Sequence, residues 1–137
     1  MDFLKRMKIS NPNKLGELVI FINEIGEKYG AKTHLFRDER KAEALPPEYF
    51  QYLESDESDN NSPYGLRLYC MRVNESVVIL FNGDLKTAQK VQDCKNCKPH
   101  FDRANKFALK IQEAILKRDI VPAHKIINQI DNFEFEI

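Results

Sequence analysis

Leu66–Val73 (LRLYCMRV) and Ser76–Asn82 (SVVILFN) are the two runs of sequence that decide the fold. Both runs are rich in the β-branched, aromatic and aliphatic residues that strands favour, and only Asn74 and Glu75 separate them. Asn tolerates the positive φ that a two-residue turn requires. The two runs therefore predict an antiparallel β-hairpin.

The expected register of this hairpin pairs Val73 with Ser76 and assigns every side chain to one of two faces. One face carries Leu68, Cys70, Arg72, Val77, Ile79 and Phe81. The other face carries Arg67, Tyr69, Met71, Val78, Leu80 and Asn82. A sheet divided in this way is expected to pack helices against the first face and to leave the second partly open.

Amphipathic helices are predicted on both sides of the hairpin. The first follows an Asn13 N-cap, repeats apolar residues at helical spacing and ends near Gly30. The second repeats apolar residues from Phe101 and ends near Lys117. Shorter strands are predicted at residues 3–9, 32–37 and 133–137.

Length and composition exclude several classes of protein. The chain has 137 residues, 42% of them hydrophobic and 31% charged, which suits one soluble domain and excludes a wholly disordered chain. The longest strongly apolar stretch without a charge is Ser76–Asn82, whereas a membrane-spanning helix needs about 20 residues. The N-terminus lacks the apolar core of a signal peptide, and three cysteines make no disulfide framework, so we expect a cytoplasmic protein.

The net charge of zero hides an uneven distribution. Residues 66–118 carry eleven basic and five acidic side chains, whereas residues 37–65 carry three basic and eight acidic ones. A basic segment indicates an anionic partner or substrate. A solvated helix face of mixed charge produces the same count, and composition alone does not choose between these two interpretations.

Cys94 and Cys97 form a CxxC motif, and His100 follows three residues later. Thiolate and imidazole groups at this spacing can hold one side of a zinc site, for which Cys70, His34 or His124 would supply the fourth ligand. A redox motif at the start of a helix is a second interpretation, and a pair of unreactive loop cysteines is a third. Glycine-rich phosphate loops, GxSxG and HExxH are absent from the sequence.

Basic and aromatic residues around the hairpin suggest a site for RNA cleavage through the neighbouring 2′-hydroxyl. That reaction needs a base, an acid and cationic charge on the pentavalent phosphate. Arg67 and Lys86 can supply the charge, and Tyr69 can act as the base if these cations lower its pKa. A surface Arg, a surface Lys and a packed Tyr are an equally consistent interpretation of the same residues.

The order of the segments resembles that of the RelE/ParE-like toxins of bacterial type II toxin–antitoxin systems. The resemblance covers roughly residues 13 to 118 and ends in the basic amphipathic helix. Its motifs are Thr33-His34-Leu35-Phe36-Arg37, Gly65-Leu66-Arg67-Leu68-Tyr69, Val77-Val78-Ile79-Leu80-Phe81-Asn82-Gly83 and Lys86-Thr87.

This resemblance implies a small α+β fold, with an N-terminal helix and a C-terminal amphipathic helix packed on one face of a twisted antiparallel sheet. The expected organisation is a single domain over residues 1–137, with an acidic loop at 54–64 and an extension from 119. The implied catalytic residues are Arg67, Tyr69 and Lys86. The implied RNA-binding residues are Arg37, Asn82, Thr87, Lys90, Arg103 and Lys106.

The resemblance also implies partners. RelE-type members cleave messenger RNA on the ribosome, need no metal or other cofactor, and are silenced by a cognate antitoxin protein. ParE-type members share the fold without acting on RNA. A non-catalytic module that binds a protein or a nucleic acid through the same basic face is the alternative function.

Overall fold

The computed structural model describes residues 2–53 and 64–117, and these contain three α-helices and one four-stranded sheet. The helices are α1 (Asp2–Ser10), α2 (Pro12–Glu24) and α3 (Lys98–Leu116), and the strands are β1 (Arg37–Glu39), β2 (Ala42–Leu45), β3 (Leu66–Asn74) and β4 (Val77–Leu85). This arrangement confirms the expected α+β class.

The sheet is an antiparallel meander in the order β1-β2-β3-β4. The predicted hairpin is present as β3 and β4, but its predicted register is wrong. Met71 rather than Cys70 is opposite Ile79, a shift of one residue, and at the turn Asn74 rather than Arg72 is opposite Val77, a shift of two. The Asn74 side chain accepts a hydrogen bond of 2.7 Å from the Ser76 N–H. This local turn makes Glu75 and Ser76 the two connecting residues.

The shifted register moves the side chains of β4 to the opposite faces from those expected. Cys70 pairs with Leu80, and Met71 pairs with Ile79. Because side chains alternate along a strand, a shift of one residue exchanges the faces of every residue on one strand. The face assignments expected along β3 are therefore correct, and those expected for Val78, Ile79, Leu80 and Phe81 on β4 are inverted.

Helices cover both faces of the sheet, so the expectation of a partly open face is wrong. One core joins α1 and α2 to the Leu68 and Cys70 face of β3. The second core joins α3 to the Tyr69 face, where the rings of Tyr69 and Phe101 meet edge-on with centroids 6.0 Å apart. The aromatic and alanine-rich face of α3 makes this second layer possible, because small residues let the helix approach the strands closely.

The N-terminal segment at residues 3–9 is helical, not a strand. Phe3 and Met7 are its buried residues, and their spacing of four places both on one face of α1. Asp2 and Arg6 form an ion pair of 2.7 Å one turn apart along the same helix. A second local misassignment concerns residues 32–37, which form a 3₁₀ turn at Thr33–Leu35 before β1 begins.

The β1–β2 hairpin was not predicted, because its sequence is dominated by charged residues. Arg40 lies in its turn with a φ of 67°. Asn105 of α3 accepts hydrogen bonds from the Lys41 and Ala42 N–H groups at 2.8 and 3.1 Å. This hairpin is therefore held in part by a residue that is distant in sequence.

Both predicted long helices are present. The N-cap of α2 is Asn11 rather than Asn13, and the helix continues as a π-helical turn at Ile25–Tyr29. Gly30 ends it with a φ of 73°, a left-handed value that favours glycine.

The predicted loop at 54–64 falls almost wholly outside the described residues, as do the extension from 119 and the strand at 133–137. Within the described ranges, no helix combines the length and apolar character that crossing a membrane requires.

A substitution at Gly83 tests how closely β4 approaches the backbone of β3. A Cβ atom at this position would lie 1.8 Å from the Arg67 carbonyl oxygen, which is backbone and cannot swing away. We expect Gly83→Ala to lower the free energy of unfolding by about 2 kcal/mol or more, as overpacking does. Urea denaturation measures the change.

Gly16→Ala in α2 is the matched control, because nothing lies within 4 Å of the added Cβ. It should raise the free energy of unfolding by roughly 0.5–1 kcal/mol through helix propensity. Equal stabilities of the two variants would contradict the assigned strand contact.

Candidate functional site

Three basic side chains converge from separate segments of the chain. Arg37 lies on β1, Arg67 on β3 and Lys86 directly after β4. Arg67 and Lys86 each interact electrostatically with the other two cations of the set. We call Arg37, Arg67 and Lys86 the cationic cluster.

The sheet topology explains the convergence. Arg37 is opposite Ala44, and Ala44 is opposite Tyr69 on the next strand, so Arg37 is close to the Arg67 end of β3. The Lys86 N–H donates to the Gly65 carbonyl oxygen at 2.9 Å, which fixes Lys86 beside the start of β3. Backbone pairing therefore sets the positions of all three cations.

Arg67 is the buried member of the cluster, with only 5% of its surface exposed. Its Nη1 atom donates to the carbonyl oxygens of Tyr64 and Leu66 at 2.6 and 3.1 Å. Its Nε atom is buried and has no hydrogen-bond partner among the residues that the structure describes. Burial, and then the charge of Arg37, lower the pKa of Arg67.

Lys86 and Glu39 are half-buried beside Arg67 and carry opposite charges. Burial lowers the pKa of Lys86, and the neighbouring Arg67 lowers it further. The Lys86 Nζ atom lies 5.8 Å from the centroid of the Tyr64 ring. Burial raises the pKa of Glu39 even though all three cations of the cluster favour its ionised form. Desolvation therefore dominates the charge balance of this site.

Tyr69 does not have the properties expected of a base. It is 1% exposed, and burial together with the neighbouring Cys97 raises its pKa, whereas the sequence argument required the cations to lower it. The charge of Arg67 acts in the expected direction but is the smaller effect. Tyr69 therefore lies next to the cationic cluster as a packed core residue beneath α3.

Asn82 and Thr87, two expected RNA-binding residues, make hydrogen bonds to other residues of the domain. The Asn82 side chain accepts a hydrogen bond from Arg6 at 2.6 Å and donates one to Asp2 at 3.1 Å, which ties β4 to α1. The Thr87 N–H donates to the Cys94 sulfur at 3.4 Å, and the Thr87 hydroxyl lies 3.6 Å from the same sulfur.

Lys90, Arg103 and Lys106 remain surface residues, as a role in binding RNA would require. Lys90 is exposed in the loop after β4, and Lys106 is exposed on α3. The guanidinium of Arg103 lies over the Phe107 ring, 5.8 Å from its centroid.

Glu39 is the site residue that sequence reasoning missed, and its alternation with Arg37 along β1 is the signal that could have placed both on one face.

The zinc interpretation of the CxxC motif gains no support from the described residues. Among them, no group of three or more His, Cys, Asp and Glu side chains is arranged to hold a metal ion. Cys94 and Cys97 are instead buried thiols in the core beneath α3.

A separate groove of about 480 Å³ lies at the end of α2. Its lining residues are Phe21, Glu24, Lys28, Tyr29, Lys32, His34, Leu35 and Tyr49. The π-helical turn supplies two of these residues. Its lining combines aromatic rings with both acidic and basic groups, and it does not include the cationic cluster.

Comparison with protein-family models, with curated proteins and with solved structures finds no match. The function is therefore inferred from the geometry and charge of this chain's own residues. The cationic cluster lies beside Cys97, at the N-terminal end of α3.

Glu39→Gln tests whether burial outweighs the attraction of the neighbouring cations in setting the pKa of Glu39. A carboxyl whose pKa is raised on folding destabilises the folded state above that pKa and has no such effect once both states are protonated. We expect the variant to be more stable than the native chain at neutral pH. The difference should disappear as the pH falls below about 4, the ordinary range of a glutamate.

Urea unfolding between neutral and acidic pH measures this difference. Glu27→Gln removes a charge from an exposed position in the π-helical turn and is the matched control. A Glu39→Gln variant that is less stable than the native chain at neutral pH would show that ion pairing, not burial, dominates at Glu39.

Proposed function

We propose that this chain is a RelE/ParE-like toxin that acts in the cytoplasm as a ribosome-associated messenger RNA endoribonuclease. In this proposal the cationic cluster binds the scissile phosphate, no metal takes part, and a cognate antitoxin silences the protein. The observation that carries the proposal is the convergence of Arg37, Arg67 and Lys86 from three segments of the chain.

Three like charges at one place repel one another. The lowered pKa of Arg67 and of Lys86 both reflect this, because burial and neighbouring cations disfavour their charged forms. A phosphate group would offset both effects at once, since it supplies negative charge and hydrogen-bond acceptors. The arrangement is therefore suited to binding an anion.

The three cations differ in how far they are buried, and we assign their roles accordingly. Arg37 and Lys86 are the more accessible members and are proposed to contact the phosphate. The buried Arg67 is proposed to add positive charge to the site without contacting the phosphate. A lysine whose pKa is lowered is a stronger acid than an ordinary lysine. Lys86 is thus suited to stabilise the developing charge and to protonate the leaving oxygen. The Glu39 carboxylate, which lies beside all three cations and whose pKa burial raises, is suited to accept the proton of the attacking 2′-hydroxyl. Tyr69 acts by positioning β3 beneath α3.

A non-catalytic binding module is the second candidate function. Three of the expected site residues, Tyr69, Asn82 and Thr87, are buried or engaged in bonds within the domain. A surface of exposed cations that holds a protein or nucleic-acid partner needs none of these three groups for chemistry. Its affinity for RNA should fall steeply with salt, without any cleavage.

Induced expression of the full chain in a bacterial culture separates these functions. We expect growth arrest together with new messenger RNA ends in translated transcripts. The double variant Arg37→Ala/Lys86→Ala should relieve the arrest, because it removes two of the three proposed phosphate-stabilising charges. Growth curves and mapping of RNA ends are the measurements.

Lys5→Ala/Lys8→Ala is the matched control, since both lysines are exposed on α1, which packs on the opposite face of the sheet. Arrest that survives in a soluble Arg37→Ala/Lys86→Ala variant would exclude the proposed mechanism. Arrest without new RNA ends would favour a ParE-like action on another target. Normal growth combined with salt-sensitive RNA binding would favour the binding module.

A further inference from the structure

Cys94 and Cys97 lie on the first turn leading into α3. The Lys98 N–H donates to the Cys94 carbonyl oxygen at 2.9 Å, and the Phe101 N–H donates to that of Cys97 at 2.8 Å. Helical hydrogen bonding thus begins at Cys94, and two residues three apart on a helical turn face the same side. Each of the two thiols shifts the pKa of the other, as neighbouring side chains do. This geometry lets a disulfide form with little movement of the backbone.

The two sulfur atoms have different surroundings. Burial opposes ionisation of Cys94, but hydrogen bonds from the Thr87 N–H and hydroxyl, together with those from Cys97, lower the pKa of Cys94 to about 7. Cys97 donates to the Asp84 carbonyl oxygen at 3.7 Å, and burial raises its pKa. Cys94 is therefore suited to be the attacking thiolate, and Cys97 is suited to remain a thiol until a second step.

The cover over Cys94 is thin. Cys94 itself is fully buried, but Thr87, Lys95 and Asn96 around it are exposed. Displacement of this one loop would expose the sulfur to a water-sized oxidant. Cys70 provides the contrast, because it is buried on the opposite face of the sheet between β3 and the N-terminal helices, where its pKa is raised well above the ordinary value.

We propose that Cys94 and Cys97 are a redox-active dithiol that hydrogen peroxide oxidises to an intramolecular disulfide, with Cys94 as the attacking sulfur and Cys97 as the resolving one. The proposal concerns the chemistry of this motif alone and does not depend on the proposed function of the cationic cluster.

The reaction proceeds in two balanced steps. The Cys94 thiolate attacks one peroxide oxygen, the O–O bond breaks, and hydroxide leaves and takes up a proton, which gives a sulfenic acid and water. The Cys97 sulfur then attacks the Cys94 sulfur, the S–OH bond breaks, and the hydroxide leaves as a second water with the Cys97 proton. Two thiols are oxidised by two electrons in total, and one peroxide is reduced to two waters.

The test exposes the reduced full chain to hydrogen peroxide, blocks the remaining thiols with an alkylating reagent under denaturing conditions, and measures the intact mass. All three cysteines are free before oxidation, so the reduced chain should take up three alkyl groups and the oxidised chain one, on Cys70. Trypsin cuts after Lys95, between the two cysteines, so the disulfide should join the peptides 91–95 and 96–103.

Two variants assign the sulfur roles. Cys97→Ser should accumulate a sulfenic acid that dimedone captures on Cys94, with a rate that rises to half its maximum near pH 7, the pKa of Cys94. Cys94→Ser should show no capture on Cys97 on the same timescale. Capture on Cys97 at an equal rate would overturn the assigned roles.

Native chain that retains three alkylatable thiols, or that carries a sulfinic acid on Cys94 without a linked peptide, would overturn the disulfide itself. Because the measurements on the native chain need no substitution, a variant that fails to fold does not affect this result. Oxidation of Cys70 at the same rate as Cys94 would show general unfolding by peroxide, and would also count against the proposal.

Discussion

The pairing of β3 with β4 is the constraint on which the rest of the structure depends. Asn74 sets its register through the turn at Ser76, and Gly83 lets β4 approach the Arg67 backbone more closely than a side chain would permit. In this arrangement Tyr69 lies on the face of the sheet that packs against α3, and Leu68 lies on the face that packs against α1 and α2. A shift of one residue would exchange the faces of β4, so that Ile79 and Phe81 would face α1 and α2 while Val78 and Leu80 would face α3.

The same pairing makes the cationic cluster possible. Isolated surface cations would spread apart in water, where exposed charges interact weakly. In this protein Arg67 is buried on β3, and the Lys86 N–H donates a hydrogen bond to the Gly65 carbonyl oxygen. The members of the cluster therefore cannot move apart unless the pairing of the strands is broken. Packing of the two cores therefore holds the like charges together, and desolvation rather than ion pairing decides the pKa of Glu39.

Sequence reasoning succeeded where the deciding forces are local. Helical periodicity located α2 and α3, and residue composition located the β3–β4 hairpin. It failed where a distant residue decides the outcome: Asn105 supports the β1–β2 turn, and Arg6 engages Asn82. Arg67 and Lys86 were identified from their places on and just after the predicted hairpin, and Arg37 from the resemblance in the order of the segments. The burial of Tyr69, in contrast, depends on a helix about thirty residues later in the chain.

Docking of α3 explains why a cationic site and a pair of thiols lie at one place. When Phe101 packs against Tyr69, the turn before α3 brings Cys97 to the same tyrosine and brings Cys94 to Thr87. Burial beneath α3 raises the pKa of Tyr69 and of Cys97, and so removes Tyr69 from proton transfer at neutral pH, whereas hydrogen bonds from Thr87 lower the pKa of Cys94. Docking of α3 thus contributes to both properties, because it buries Tyr69 and Cys97 and places the Cys94 sulfur against Thr87.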